Sequence, residues 1–232
     1  LFNTYTNGPS GTSASRNLVA LASSNEWKNL GKSAQNLISL ILLYGYPNKD
    51  GKISAEKYIA TQVLIWEVQQ GYRTSFNSTS SDSPLYKLWV NRADTNPIKF
   101  TEVKRLYEEI VKDAASYSAM PNISGSVNLK YNASTKKYET KLTDTNGLLS
   151  SGKYTVTCPS GVKCTISGND LLVTSDSAVK SGKVTITKKV PTIRKGALII
   201  GVDKENTQKA IVGVPNVSPV TKDLNIGSST GG

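Results

Sequence analysis

The sequence predicts an α+β fold: a mainly helical lobe, residues 1–118, packed against a β-sandwich-like or barrel-like lobe, residues 119–224, with a linker-like tail at 225–232. Three observations carry this expectation. Before residue 118, apolar residues recur at helical spacing in three segments. After Pro121 the pattern changes to short alternating stretches punctuated by Asn-Gly and Ser-Gly turns. The end, from Gly227 to Gly232, has linker composition.

Ser33 to Leu43 carries Ala34, Leu37, Ile38, Ile41 and Leu42 on one stripe and stops at Gly45 and Pro47. Ser54 is placed to cap a second helix, Ala55 to Gln70, which Gly71 halts. Thr74 to Ser83 is a Ser/Thr/Asn-rich loop. A third helix spans Thr101 to Ser116, with Val103, Leu106, Tyr107, Ile110, Val111 and Ala114 on one side. In the second part, Val127, Leu129 and Tyr131 lead to a turn at Asn132 to Lys136 and return through Tyr138, Thr140 and Leu142. Short strands come next at Lys153–Cys158, Lys163–Ser167, Leu171–Ser175, Lys183–Lys188, Ala197–Val202 and Ala210–Val214. That cadence suits a sandwich or barrel.

Composition removes several function classes. None of the 232 residues is histidine, so Ser-His-Asp triads, Cys-His dyads and His-ligated metal sites are excluded. Lys plus Arg exceeds Asp plus Glu by 28 − 17 = 11, but the lysines are spread from Lys28 to Lys222 in runs of at most two. Such a distribution reads as a basic soluble surface, and nucleic acid is not expected as a partner. The longest apolar run, Leu37 to Tyr44, falls far short of the roughly 20 residues of a membrane span. No signal peptide or anchor is legible, so targeting segments are expected outside this stretch.

Cys158 and Cys164 flank a Pro-Ser-Gly turn in β-type sequence. Two readings stand: a bridge across that hairpin, worth about 2–3 kcal/mol in an extracellular chain, or two unbridged, half-buried thiols. Without histidine the pair makes no metal site, and no metal or other cofactor is expected. Asn48 to Ser54 resembles the middle of a calcium loop. Tyr46 and Lys57 occupy the positions that need the first carboxylate and the bidentate Glu, so the segment reads as a turn feeding the Ser54 cap.

The second helix is the candidate site. Tyr58 to Val68 is apolar around almost its whole circumference, which predicts burial. Gln62 lies four residues from both Tyr58 and Trp66, on an aromatic face. Burying an unpaired amide costs about 1–3 kcal/mol. The residues alone therefore leave two readings: an amide hydrogen-bonded to backbone or to Thr61, or a side-chain carbonyl in covalent use. Tyr58, Thr61 and Trp66 are candidate pocket residues. Glu67 is either placed to exchange a proton or simply packed, and Asp144 with Asn146 reads as a tight turn.

Thr61-Gln62-Val-Leu-Ile-Trp66 resembles the TQ-x-x-x-W signature of thioester domains, adhesion modules of Gram-positive surface proteins. Leu43-Tyr44-Gly45-Tyr46-Pro47, Trp66-Glu67-Val68 and Leu142 to Ser150 are similar to that family in the same order, so the likeness runs from about residue 37 to residue 150. It implies a helical lobe combined with a β-sandwich-like lobe. It also implies an internal thioester between a cysteine thiol near the domain's N-terminus and the side chain of Gln62, the acyl donor. A host-protein amine, with lysine the expected one, then attacks the acyl carbon. A dry aromatic pocket would protect such a bond from hydrolysis, and positioning the thiol against the amide would speed its formation.

The chain departs from that pattern in one respect: no residue from Leu1 to Gln62 is cysteine. Leu1-Phe2 and the turn Gly8 to Gly11 resemble the family's sequence immediately after its cysteine, which places that residue just upstream. The alternatives are a domain that has lost its thioester, or Cys158 or Cys164 as substitute partner in the wrong half of the chain.

The expectation is therefore an extracellular, monomeric adhesin module of a longer surface protein, anchored to the cell wall through regions outside this chain. It binds a host surface or matrix protein covalently, and is no turnover enzyme because each bond consumes the site. The rival is a structural or non-covalent binding domain of a cell-wall protein. A carbohydrate-binding module lacks a clustered aromatic platform, since only Tyr131, Tyr138 and Tyr154 come after residue 118. A hydrolase lacks a matched general base.

Overall fold

The computed structural model describes residues 17–20, 25–46, 54–77, 83–191, 199–202, 210–212, 217 and 219–229. The calcium-like loop up to residue 53, Pro47 and the stretch from Leu1 to Gly11 lie outside these. In chain order the elements are β1 (Asn17–Ala20), α1 (Asn25–Asn29), α2 (Lys32–Tyr44), α3 (Ala55–Gln69), α4 (Pro84–Trp89), α5 (Phe100–Ala115), β2 (Ser126–Asn132), β3 (Lys137–Thr143), β4 (Tyr154–Thr157), β5 (Val162–Ser167), β6 (Asp170–Ser175), β7 (Gly182–Lys188), β8 (Ile199–Val202), β9 (Ala210–Val212) and β10 (Thr221–Ser228). A 3-10 turn, Leu149–Ser151, precedes β4. The architecture is α+β. Two units interleave in sequence: the first is 1–117 with 191–217, the second 118–190 with 218–232.

In the first unit, α2, α3 and α5 start and stop within one or two residues of the spans that periodicity predicts: α2 and α5 carry apolar stripes, α3 is apolar nearly all round, and Gly45 and Gly71 follow the ends of α2 and α3. On α5 that stripe is Phe100, Val103, Tyr107, Ile110 and Ala114, all buried. Lys99, at its N-cap, has no side-chain acceptor, and Asp94 supplies one by accepting the Thr101 N–H at 2.8 Å. Gln35 Nε2 on α2 donates to the Trp27 and Leu30 carbonyls, both at 2.9 Å, and closes the end of α1. The short helices α1 and α4 were not foreseen, since five or six residues cannot display a helical period. Ser83 nevertheless accepts the Tyr86 N–H and Pro84 opens α4, a local start signal.

This unit also contains an antiparallel sheet ordered β1-β8-β9. The lobe boundary expected at 119–224 is corrected by it. Residues 191–217 belong with the helices because β8 pairs with β1, at the other end of the chain. Strand composition encodes a half-buried surface, not the identity of the partner strand.

The second unit is one seven-stranded sheet in the order β4-β7-β10-β2-β3-β6-β5, with β10 and β2 parallel and every other pair antiparallel. Its edge strands β4 and β5 approach each other, giving a nearly closed barrel. Alternate residues point inward: Val127 and Leu129 on β2, Leu171 and Val173 on β6, Val184 and Ile186 on β7, and Leu224 and Ile226 on β10, with Leu149 and Tyr154 among them. The linker-like reading of 225–232 therefore fails for its first half. Residues 225–228 complete β10, Ile226 is buried, and the Ser229 N–H donates to the Leu129 carbonyl at 3.1 Å. Gly and Ser in this segment masked the alternation of Leu224 and Ile226.

A disulfide joins Cys158, just past β4, to Cys164 on β5, and so closes the seam between the two edge strands. Both cysteines pack half-buried against the barrel core. Replacing both by serine is expected to lower the unfolding free energy of this unit by about 2–3 kcal/mol. Hydrogen exchange would register it as lost protection in β4 and β5, and unchanged protection there would contradict a stabilising clasp.

Asp144, read from sequence as part of a tight turn, is a buried hub. Its carboxylate accepts backbone N–H groups from Asn122 at 2.6 Å, Asn146 at 3.0 Å, Leu148 at 2.5 Å and Leu149 at 3.0 Å. Burial pushes its pKa up, but the four backbone donors outweigh burial and hold it below the usual carboxylate value. A depressed folded pKa adds stability above the unfolded value, about 3.9, and that contribution is lost as pH falls through the folded pKa. Asp144→Asn is accordingly expected to destabilise the unit by about 1.5–3 kcal/mol at neutral pH. The gap between wild type and variant should shrink below about pH 4, a trend measurable by denaturation across pH. A gap that stays constant would show that charge at this position is irrelevant.

Candidate functional site

The site is built on α3. Ser54 caps it, its hydroxyl accepting the Lys57 N–H at 3.0 Å, and Gly71, with φ +76°, ends it by taking the left-handed conformation that most residues avoid. The helix is buried nearly all round, as its apolar circumference predicts. Lys57, Ala60, Thr61, Gln62, Val63, Leu64, Ile65, Glu67 and Val68 are all buried, while Tyr58 and Trp66 are half-buried. Gln62 is 0% exposed. Lys57, Thr61, Gln62 and Glu67 are thus four buried polar residues on one fifteen-residue helix. Such a concentration needs an account for each.

Thr61 is used by the backbone. Its hydroxyl donates to the Lys57 carbonyl at 2.7 Å and accepts the Tyr46 N–H at 2.8 Å. It therefore fastens the chain leaving α2 to the middle of α3. Gly45 shows how close that approach is: a Cβ there would lie 2.6 Å from both Thr61 Oγ1 and the Ile41 carbonyl oxygen. Tyr46, buried beside it, sets its ring edge-on to Tyr58, with centroids 5.6 Å apart and planes at 85°.

Glu67 is held in an ion pair. Its Oε2 accepts Arg73 Nε at 3.1 Å and the Tyr107 hydroxyl at 2.7 Å, while Arg73 also donates to the Tyr107 oxygen at 2.7 Å and to the Ser75 carbonyl at 3.1 Å. Glu67 and Arg73 side chains are 0% and 1% exposed. The cluster ties α3, the chain after it and α5 together, and Tyr86 of α4 packs on Tyr107 with ring centroids 5.3 Å apart. Of the two sequence readings for Glu67, the structure supports the packed one. Arg73 and Tyr107 were missed as its partners. The available signal was an acid on an otherwise apolar helix, which demands a cation, and one of only five arginines stands six residues on.

Tyr58, Thr61, Gln62 and Trp66 therefore share one helix of the first unit, and Cys158 with Cys164 forms the disulfide of the second. Among the described residues, no three or more Asp, Glu, Cys or His side chains are placed to hold a metal ion. Nor is any described helix long and apolar enough to cross a membrane.

Comparison with known proteins gives three results. Residues 2–116 match the family model of the thioester domain. The chain is similar to the solved thioester domain of the Staphylococcus aureus TIE protein, at 24% identity over 92% of this chain and 76% of that one, with a TM-score of 0.54. At that identity the likeness establishes the fold. No curated protein matches.

Proposed function

We propose, from the premise that residues 2–116 belong to the thioester domain family, that this protein is an adhesin module that captures a host protein covalently through Gln62. The observation that carries the reading is the complete burial of Gln62 on α3, within the Thr61-Gln62-Val-Leu-Ile-Trp66 pattern of the family-matched stretch. Loss of ammonia from the Gln62 amide, as a cysteine thiol adds to its carbonyl carbon, gives the thioester. A primary amine of the target then bonds to that carbon, the C–S bond breaks, and the sulfur leaves with the proton the amine gives up. Each bond consumes the site, so the protein does not turn over as an enzyme. The thiol belongs to neither Cys158 nor Cys164, which are bonded to each other. A host surface or matrix protein offering a lysine is the partner proposed, and the cell exterior the place.

Water is the competing nucleophile, and burial of the acyl carbon slows it. The test is intact mass of the chain extended upstream of Leu1 through the first preceding cysteine, before and after methylamine. The expected result is a mass short by one ammonia, with methylamine adding at Gln62. A full calculated mass with no adduct, or a gene with no upstream cysteine, would overturn covalent capture. The second reading, a non-covalent surface domain, draws support from the engagement of both cysteines of this chain in one disulfide.

A further inference from the structure

We propose that Thr61 is a positioning residue: by holding Gly45 and Tyr46 against α3 it builds an aromatic wall, Tyr46 on Tyr58, that selects which amine reaches Gln62. This inference rests on the thioester reading of Gln62. The Thr61 hydroxyl is committed at both ends, donating to the Lys57 carbonyl and accepting the Tyr46 N–H, and the residue is 0% exposed. Its hydroxyl hydrogen is therefore directed to the backbone and not to the acyl group of Gln62. What it governs is the stretch just past α2, Gly45 and Tyr46. Gly45 has no room for even one extra carbon against Thr61, so the Tyr46 backbone is fixed in position and direction.

The consequence reaches Gln62 through Tyr58. Tyr58 lies one helical turn before Gln62, on the same face of α3. It is half-buried, at the N-terminal border of that face. Tyr46 braces the Tyr58 ring edge-on. A bound phenol pair of this kind narrows the approach along the N-terminal side of Gln62. A small amine passes, and a bulky or branched one must displace the pair. Loosening the Tyr46 backbone widens the approach for large nucleophiles more than for small ones.

The experiment uses the upstream-extended protein with Thr61→Val, which keeps shape and removes the hydroxyl, Thr61→Ser, which restores it, and Tyr46→Leu, which leaves the Thr61 hydroxyl in place and removes the ring. Two readouts are taken: exchange of the Tyr46 amide proton, and the ratio of adduct formation rates for an Nα-blocked lysine amide and for methylamine. The expected result is Tyr46 amide exchange at least tenfold faster in Thr61→Val, with the ratio raised several-fold in Thr61→Val and Tyr46→Leu and back to the wild-type value in Thr61→Ser. Unchanged exchange in Thr61→Val would overturn the fastening role. Equal changes for both amines in Thr61→Val and Tyr46→Leu would overturn selection, because a merely structural defect slows both alike. If the wild type shows no ammonia deficit, the thioester reading fails and selection fails with it, while Tyr46 exchange still decides the fastening.

Discussion

Gln62→Met in the upstream-extended protein should abolish both the ammonia deficit and the methylamine adduct while leaving the helical unit folded. Methionine matches glutamine in length and flexibility, and exchanging a buried amide for an apolar group of similar volume usually costs less than about 1.5 kcal/mol. The site is fully enclosed on a helix whose other buried positions are largely apolar, so the replacement suits its surroundings. Intact mass measures the chemistry, and tryptophan fluorescence measures the fold, because Trp27, Trp66 and Trp89, the chain's three tryptophans, all lie in the first unit. An adduct that persists in Gln62→Met would mean that another side chain carries the acyl group.

Arg73→Met is expected to cost about 3–5 kcal/mol, the largest stability effect predicted for the helical unit. Arg73 and Glu67 are paired with almost no solvent contact, so deleting the guanidinium leaves a buried carboxylate with the Tyr107 hydroxyl as its one remaining donor among the described residues. The other oxygen, Glu67 Oε1, already has no hydrogen-bond donor among the described residues. Urea unfolding followed by tryptophan fluorescence reads the loss. Adding Glu67→Gln to Arg73→Met should recover much of it, since an amide carbonyl still accepts from Tyr107 without a charge to bury. If the double variant is no more stable than the single one, an uncompensated charge is not the cause.

The long helices were legible because they advertise themselves locally: the stripe from Phe100 to Ala114 and the Ser54 cap need no knowledge of the rest of the chain. The barrel strands from β2 to β7 were legible for the same reason, through alternation such as Val127-Leu129 and Val184-Ile186. The features that escaped depend on pairing at a distance. β1 and β8 lie about 180 residues apart in sequence and meet in one sheet. β10, rich in Gly, Ser and Asn at its end, is a strand only because β2 and β7 flank it. At the site, Gln62 stood out as an amide on an apolar helix. Thr61 was grouped with the pocket, yet its bond to Tyr46 spans fifteen residues, a relation that no spacing rule on α3 contains. Glu67 was seen, and its cation was not, because Arg73 lies beyond the helix stop.

The interleaved chain path gives β10 a mechanical role. A pull on the C-terminal side of Ser228 is transmitted along β10 to residues 217–218, where the backbone re-enters the helical unit. Tension therefore reaches the 191–217 part of the helical unit without passing through the covalent backbone of β2 to β7. The barrel grips this strand from both sides, by six register pairs with β7 and four with β2, all oriented across the direction of pull. To slide β10, those pairs must yield together in shear and not one after another, as in unzipping. The strand is thus a taut cord clamped by its neighbours, a geometry that resists force along the chain better than force across it.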